Sequence, residues 1–77
     1  MTALIHTAGP DISPVRGGWR VQRPDGTART VLQRQSGEGF AVFDGTSTDA
    51  LRNPPLGYPG SWHHIADDAV AWAREAS

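Results

Sequence analysis

The segment Pro24-Asp25-Gly26-Thr27 constrains the fold of this sequence more than any other feature. Proline presets its own φ, and Asp-Gly tolerates the positive φ values that a tight hairpin turn requires. Residues that alternate between apolar and polar precede and follow this segment, as in two antiparallel strands with one face in water. The sequence therefore predicts a β-hairpin with strands over residues 19–23 and 28–35.

A two-residue loop at Asp25-Gly26 would fix how the two strands face each other, and so which side chains share a face. The predicted core face consists of Trp19, Val21, Ala28, Thr30 and Leu32. The predicted outer face consists of Arg20, Gln22, Arg29, Val31 and Gln33. This register would present guanidinium and amide groups together on the solvent side of the sheet.

A third strand is predicted from Phe40 to Asp44, after a turn at residues 36–39. Its register stays open, because a shift of one residue moves every side chain to the opposite face. A two-residue loop would send Ala41 and Phe43 toward the core, and a longer loop would send Phe40 and Val42 there.

The rest of the chain divides into an arm, a loop and a helix. Gly-Pro, Ser-Pro and Gly-Gly pairs interrupt residues 1–18, so we expect an irregular N-terminal arm. Three prolines within residues 45–60 exclude a helix or a central strand and predict a long connection. Residues 61–76 are predicted to contain a helix that begins at about Trp62 or Ile65 and ends at about Glu75, with Ser61 as its N-cap. Its apolar stripe contains Trp62, Ile65, Ala69, Trp72 and Ala73.

These elements predict a single α+β domain over residues 1–77. We expect a three-stranded antiparallel sheet over residues 19–44, then the proline-rich loop, then one C-terminal helix packed on one face of the sheet. Trp19 and Trp72 both fall on inward positions, so we expect them to pack together in the core.

The composition bears on the cellular location, the oligomeric state and the source of the protein. A chain of 77 residues without cysteine has no disulfide to stabilise it, which favours a reducing, cytoplasmic location and a monomer or small homo-oligomer. The N-terminus has neither the basic segment nor the apolar run of a signal peptide, and no membrane span is predicted. All seven basic side chains are arginine, which is typical of a bacterium or phage with a GC-rich genome.

Charge is distributed unevenly along the chain although the net charge is only −1. The first 35 residues carry five arginines against two aspartates, and the remainder carries two arginines against six carboxylates. Such an asymmetry bears on the choice of partner rather than on the fold.

No catalytic motif accompanies these elements, because no nucleophile, base and oxyanion arrangement can be identified. We therefore expect a non-enzymatic binding module without a cofactor, an accessory or regulatory protein that acts on a protein partner. The proline-rich loop is the expected binding segment, since long loops in small domains are commonly functional. The residues expected to contact the partner are Leu51, Arg52, Leu56 and Tyr58.

A first alternative is nucleic-acid binding by the predicted outer face of the sheet, because guanidinium and amide groups on a β-ribbon can contact base edges and phosphates. The residues involved would be Arg20, Gln22, Arg29 and Gln33. The segments Trp19-Arg20-Val21, Pro24-Asp25-Gly26 and Ala69-Val70-Ala71-Trp72 are loosely similar to integrase arm-binding domains. The long loop before the helix departs from that pattern, and we do not assign the chain to the family.

A second alternative is a weak metal site at the start of the helix. His63 and Asp67, like His64 and Asp68, are four residues apart and would share one helix face. A structural zinc site needs more converging ligands than either pair supplies. We therefore predict no metal-binding residues.

Overall fold

The computed structural model of the chain describes residues 9–34, 37–52, 54–56 and 62–75. Five strands and one helix lie within these ranges: β1 (Ile12–Val15), β2 (Gly18–Gln22), β3 (Ala28–Gln33), β4 (Phe40–Asp44), β5 (Trp62–His63) and α1 (Ala66–Glu75). The strands form one antiparallel sheet in the order β1-β2-β3-β4-β5, and α1 packs against it. The predicted α+β class is confirmed.

The sheet has five strands, so the prediction of three was wrong. The additional strand at one edge is β1, which lies in the segment predicted to be an irregular arm. It folds back on β2 through a turn at Arg16-Gly17, where Gly17 adopts a φ of +85° that most other residues avoid. Pro14 is tolerated there because β1 is an edge strand.

The additional strand at the other edge, β5, occupies residues predicted to begin the helix. Trp62 pairs with Ala41 and His63 with Phe40, so both residues extend the sheet. The helix consequently begins at Ala66, and the backbone N–H of Ala69 donates to the Ile65 carbonyl at 3.2 Å. The predicted N-cap, Ser61, lies outside the described residues.

The hairpin after β2 has a three-residue loop, and the two-residue loop predicted from the sequence was wrong. The backbone N–H of Arg23 donates to the Thr27 carbonyl at 2.8 Å, which leaves Pro24, Asp25 and Gly26 outside the ladder. The Asp25 carboxylate accepts hydrogen bonds from the Thr27 backbone N–H at 2.9 Å and its hydroxyl at 2.6 Å. These bonds lower the pKa of Asp25 and hold the longer loop.

The extra loop residue shifts the register of β3 by one position. Val21 now pairs with Arg29, and Trp19 with Val31. A shift of one residue exchanges the two faces of a strand, so Arg29 and Val31 lie on the side predicted for Thr30 and Leu32. In β2 the two faces agree with the prediction, because Trp19 and Val21 share one face and Arg20 and Gln22 share the other.

Alternation along the paired strands defines two faces of the sheet. The helix face, which contacts α1, contains Ile12, Trp19, Val21, Arg29, Val31, Phe40, Val42 and His63. The distal face, on the opposite side, contains Val15, Arg20, Gln22, Ala28, Thr30, Leu32, Ala41, Phe43 and Trp62. Phe40 and Val42 therefore face the helix, as predicted for the longer of the two possible loops before the third strand.

The core lies between the helix face and α1. Four strand residues, Ile12, Val21, Val31 and Val42, pack against Ala69, Val70 and Ala73 of the helix. Trp19, Phe40, Leu56 and Trp72 close its edges. The ring of Trp19 lies 5.9 Å from that of Phe40, whereas Trp72 lies 5.8 Å from the ring of His63. Ile65, predicted to belong to the apolar stripe, is 53% exposed because it precedes the helix.

No helix in the described ranges could cross a membrane.

Candidate functional site

A groove of about 840 Å³ runs across the distal face of the sheet. Its floor is formed by Leu32, Ala41 and Phe43, from β3 and β4. The Arg16-Gly17 turn and Arg34 line one side, and residues 48–51 with Pro55 line the other. We call this feature the distal groove. It is larger than a concavity of about 460 Å³ beside the helix.

Strand pairing explains the floor of the distal groove. Leu32 and Ala41 are directly paired between β3 and β4, so their side chains lie side by side on the distal face. Phe43 follows two residues later on the same face and forms an isolated bridge with Pro55. Leu32 and Phe43 are 9% and 5% exposed, although both lie on the side of the sheet away from the helix. The loop after β4 therefore covers part of this face.

Hydrogen bonds to the sheet fix the described part of that loop, residues 45–56 except 53, at its first and last residues. At its start, the Thr30 hydroxyl donates to the Gly45 carbonyl at 2.7 Å. At Leu56, the backbone N–H donates to the Val42 carbonyl at 2.9 Å. These bonds anchor the side of the distal groove that faces residues 48–51.

Short-range hydrogen bonds also shape the middle of the loop. The backbone N–H of Asp49 donates to the Ser47 hydroxyl at 3.0 Å, and the Asp49 carboxylate accepts from the backbone N–H of Leu51 at 3.0 Å. The N–H of Arg52 donates to the Asp49 carbonyl at 3.0 Å. Such side-chain bonds to nearby backbone groups define turns. The turn places Leu51 at the edge of the distal groove with 96% of its surface exposed.

The charges that line the distal groove are unequal. Arg16 and Arg34 both lie on the side formed by the β1–β2 turn and the end of β3, and both are exposed. Within the described ranges neither forms an ion pair, although the Arg34 guanidinium lies 5.6 Å from the ring of Trp62. Asp49 is the single carboxylate among the described residues of the lining, and it lies 3.6 Å from the guanidinium of Arg52. The groove is therefore basic.

The four residues expected to contact a partner lie in different environments. Leu51 borders the distal groove, and Arg52 is exposed next to it without lining it. Leu56 is partly buried and packs against the core, and its role in partner binding stays a prediction. Tyr58 lies outside the described residues.

The residues of the nucleic-acid alternative do not form one surface, which corrects the predicted outer face. Arg20 and Gln22 are exposed on the distal face. Arg29 lies on the helix face, is 8% exposed and places its guanidinium 5.1 Å from the Trp72 ring centroid. Burial lowers the pKa of Arg29 below its ordinary value. Gln33, at the end of β3, borders the distal groove.

A second concavity, of about 460 Å³, lies beside the helix. Its lining includes His63, Asp68, Trp72 and Glu75. In the part of the chain that the structure describes, no three metal-binding side chains converge on one point. His63 and His64 instead contact aromatic rings, since the His64 ring lies 4.2 Å from that of Trp62.

Sequence reasoning missed the floor of the distal groove and the contribution of the Arg16-Gly17 turn. One signal for the floor was present. The run Phe40-Ala41-Val42-Phe43 is continuously apolar, and such a run is typical of a strand covered on both faces. We interpreted it as one of two alternating registers, although it indicated that the loop covers the second face.

Comparison with known proteins gives no assignment: no protein-family model matches the chain, and no curated protein or solved structure matches it significantly. The loose similarity to integrase arm-binding domains therefore has no support from these comparisons.

Proposed function

We propose that the chain is a small, non-catalytic module that binds a protein partner through the distal groove. The observation that carries this proposal is the position of Leu51, a large apolar side chain that is 96% exposed at the edge of a groove with an apolar floor. Complete burial of a leucine side chain contributes about 1.5–3 kcal/mol, so a partner that covers Leu51 gains binding free energy.

The composition of the groove supports a protein as the partner. Protein interfaces commonly combine an apolar centre with a polar border, and arginine is enriched in them. The distal groove has this composition, because its lining combines the apolar Leu32, Phe43 and Leu51 with the charged Arg16, Arg34 and Asp49. Among the described residues, its lining contains no histidine and only one carboxylate, which leaves little there for general acid–base catalysis.

The predicted nucleic-acid surface is incomplete, because Arg29 is buried against Trp72 on the helix face while Arg20 and Gln22 are exposed on the distal face. The metal alternative is not put forward, because His63 and His64 contact aromatic rings and the described residues contain no converging ligand group.

Site-specific photo-crosslinking tests the proposal. A photoreactive amino acid replaces Leu51 in cells that make the chain naturally, and the matched control replaces Ile65, the other large apolar side chain exposed in the described ranges. We expect a discrete crosslinked protein from position 51 and none from position 65.

Competition makes this result specific. Excess wild-type chain should suppress the crosslink at position 51, whereas excess Leu51→Asp chain should not. Equal crosslinking from both positions, or equal suppression by both competitors, would contradict the proposal.

A further inference from the structure

We infer that the distal groove selects an acidic segment of the partner protein, in which a large apolar side chain contacts Leu51 and flanking carboxylates pair with Arg16 and Arg34. This inference rests on the proposed function and specifies the chemistry of the partner. Its basis is the arrangement of charge and apolar surface around one groove.

The cationic side of the groove is available to a partner. Arg16 and Arg34 are exposed, and within the described ranges neither has a carboxylate partner of its own. Arginine presents a planar fork of donors that matches the geometry of a carboxylate. An acidic segment in the groove therefore gains charge-assisted hydrogen bonds without breaking an existing ion pair of either arginine.

The anionic side of the groove does not offset this charge. Asp49 is the single carboxylate that the described residues contribute to the lining, and it already accepts a hydrogen bond from the N–H of Leu51 and lies 3.6 Å from the Arg52 guanidinium. A basic partner would have to compete with Arg52 for that carboxylate while it faced two arginines. Electrostatic complementarity favours an acidic partner and disfavours a basic one.

The apolar contacts distinguish a protein segment from other polyanions. A nucleic acid could satisfy Arg16 and Arg34 with phosphates, but its backbone carries no large apolar side chain that could cover Leu51. A peptide supplies both chemistries over neighbouring residues. The juxtaposition of Leu51 with two exposed arginines is therefore the feature that selects a peptide.

Peptide selection followed by binding measurements tests the inference on the full chain. Random peptides displayed on phage are selected against the wild-type protein, and fluorescein-labelled synthetic copies of the selected peptides are titrated by fluorescence anisotropy. We expect the selected peptides to be enriched in aspartate and glutamate around a leucine or phenylalanine.

Matched variants localise the interaction. The Arg16→Ala/Arg34→Ala variant should bind about tenfold to a hundredfold more weakly, since each hydrogen bond to a charged group contributes substantially. Arg20→Ala removes an exposed arginine from the same face but outside the groove, and it should change affinity less than about twofold. Leu51→Asp should abolish binding, and Ile65→Asp should not. Circular dichroism checks that each variant is folded.

Several outcomes would overturn the inference. Neutral or basic selected peptides would do so, as would an Arg16→Ala/Arg34→Ala variant that binds like wild type. A labelled single-stranded DNA that competes with the peptide and binds more tightly would identify a polyanion site instead. Concentration-dependent dimerisation that Leu51→Asp abolishes would identify a second copy as the occupant.

The two proposals can fail separately. If crosslinking at position 51 is specific but the arginine substitutions do not affect it, the proposed function stands and the inference about acidic partners is wrong. If position 51 gives no specific crosslink and no peptide is selected, both proposals are wrong.

Discussion

An ion pair between Arg74 and Asp11 joins the last turn of α1 to the start of β1, which Asp11 immediately precedes. The Arg74 Nε donates to one Asp11 carboxylate oxygen at 2.7 Å and an Nη donates to the other at 3.0 Å, which makes the pair bidentate. The two side chains are 27% and 31% exposed, so solvent screens the pair only in part. The pair spans 63 positions of sequence and fastens the edge strand to the helix.

Removal of this pair should destabilise the fold. We expect Arg74→Ala to lower the free energy of unfolding by about 1 kcal/mol. A bidentate and partly buried ion pair contributes more to stability than a typical surface ion pair. Urea unfolding measures the change. Arg52→Ala, which removes the exposed 3.6 Å pair with Asp49, is the matched control and should change stability by less than about 0.5 kcal/mol.

A double-mutant cycle with Asp11→Ala isolates the pair itself. The two single substitutions should not be additive, because each removes the same interaction. Additive effects would show that Arg74 stabilises the fold through its hydrocarbon stem rather than through Asp11.

Gly18 is required by the close approach of β2 to β3. A Cβ at this position would lie 1.7 Å from the Val31 carbonyl oxygen, which belongs to the backbone and cannot rotate away. We therefore expect Gly18→Ala to lower the free energy of unfolding by about 3 kcal/mol or more. Thermal unfolding followed by circular dichroism measures the effect.

The matched control is Gly26→Ala in the hairpin loop. A Cβ there meets nothing within 4 Å, so only its φ of +90° opposes the substitution. That strain costs about 1–2 kcal/mol, and the loss should be smaller than at Gly18. An equal loss in the two variants would contradict the predicted clash at Gly18.

The hairpin shows how much of the fold the sequence could predict. Turn chemistry and alternation placed β2 and its faces correctly, because both depend on neighbouring residues. The register of β3 depends on whether the loop has two or three residues. The hydrogen bonds from Thr27 to the Asp25 carboxylate stabilise the three-residue loop. A local pattern cannot decide between two loops that both accept Asp-Gly.

The edges of the sheet were less predictable for different reasons. β1 forms a local hairpin with β2, but Pro14 and Gly17 gave it the sequence signature of an irregular segment. β5 has two residues, and its pairing with Phe40, which is distant in sequence, defines it rather than its own pattern. The same limit applied to the candidate site. Leu51 was identified from its residue type within a proline-rich loop, but its neighbours Leu32 and Arg16 come from distant segments that only the tertiary fold brings together.

Arg29 and Arg20 should contribute differently to stability because the register places them on opposite faces. Arg29 is 8% exposed, pairs across the strands with Asp44 and places its guanidinium over Trp72. We expect Arg29→Ala to cost about 1–2 kcal/mol through lost packing and cation–π contact. Arg20→Ala should cost less than about 0.5 kcal/mol, since that side chain is exposed. Equal unfolding midpoints in urea would contradict the observed register.

The distal groove should contain residues that the fold requires and residues that only a partner requires. Phe43 is 5% exposed and forms part of the floor, so Phe43→Ala should lower the free energy of unfolding by about 3 kcal/mol. Leu51 is 96% exposed, and Leu51→Ala should leave stability within about 0.5 kcal/mol of wild type. Chemical denaturation measures both effects. A large loss of stability in Leu51→Ala would mean that this side chain is buried within the chain itself, and the exposed leucine on which partner binding depends would then be absent.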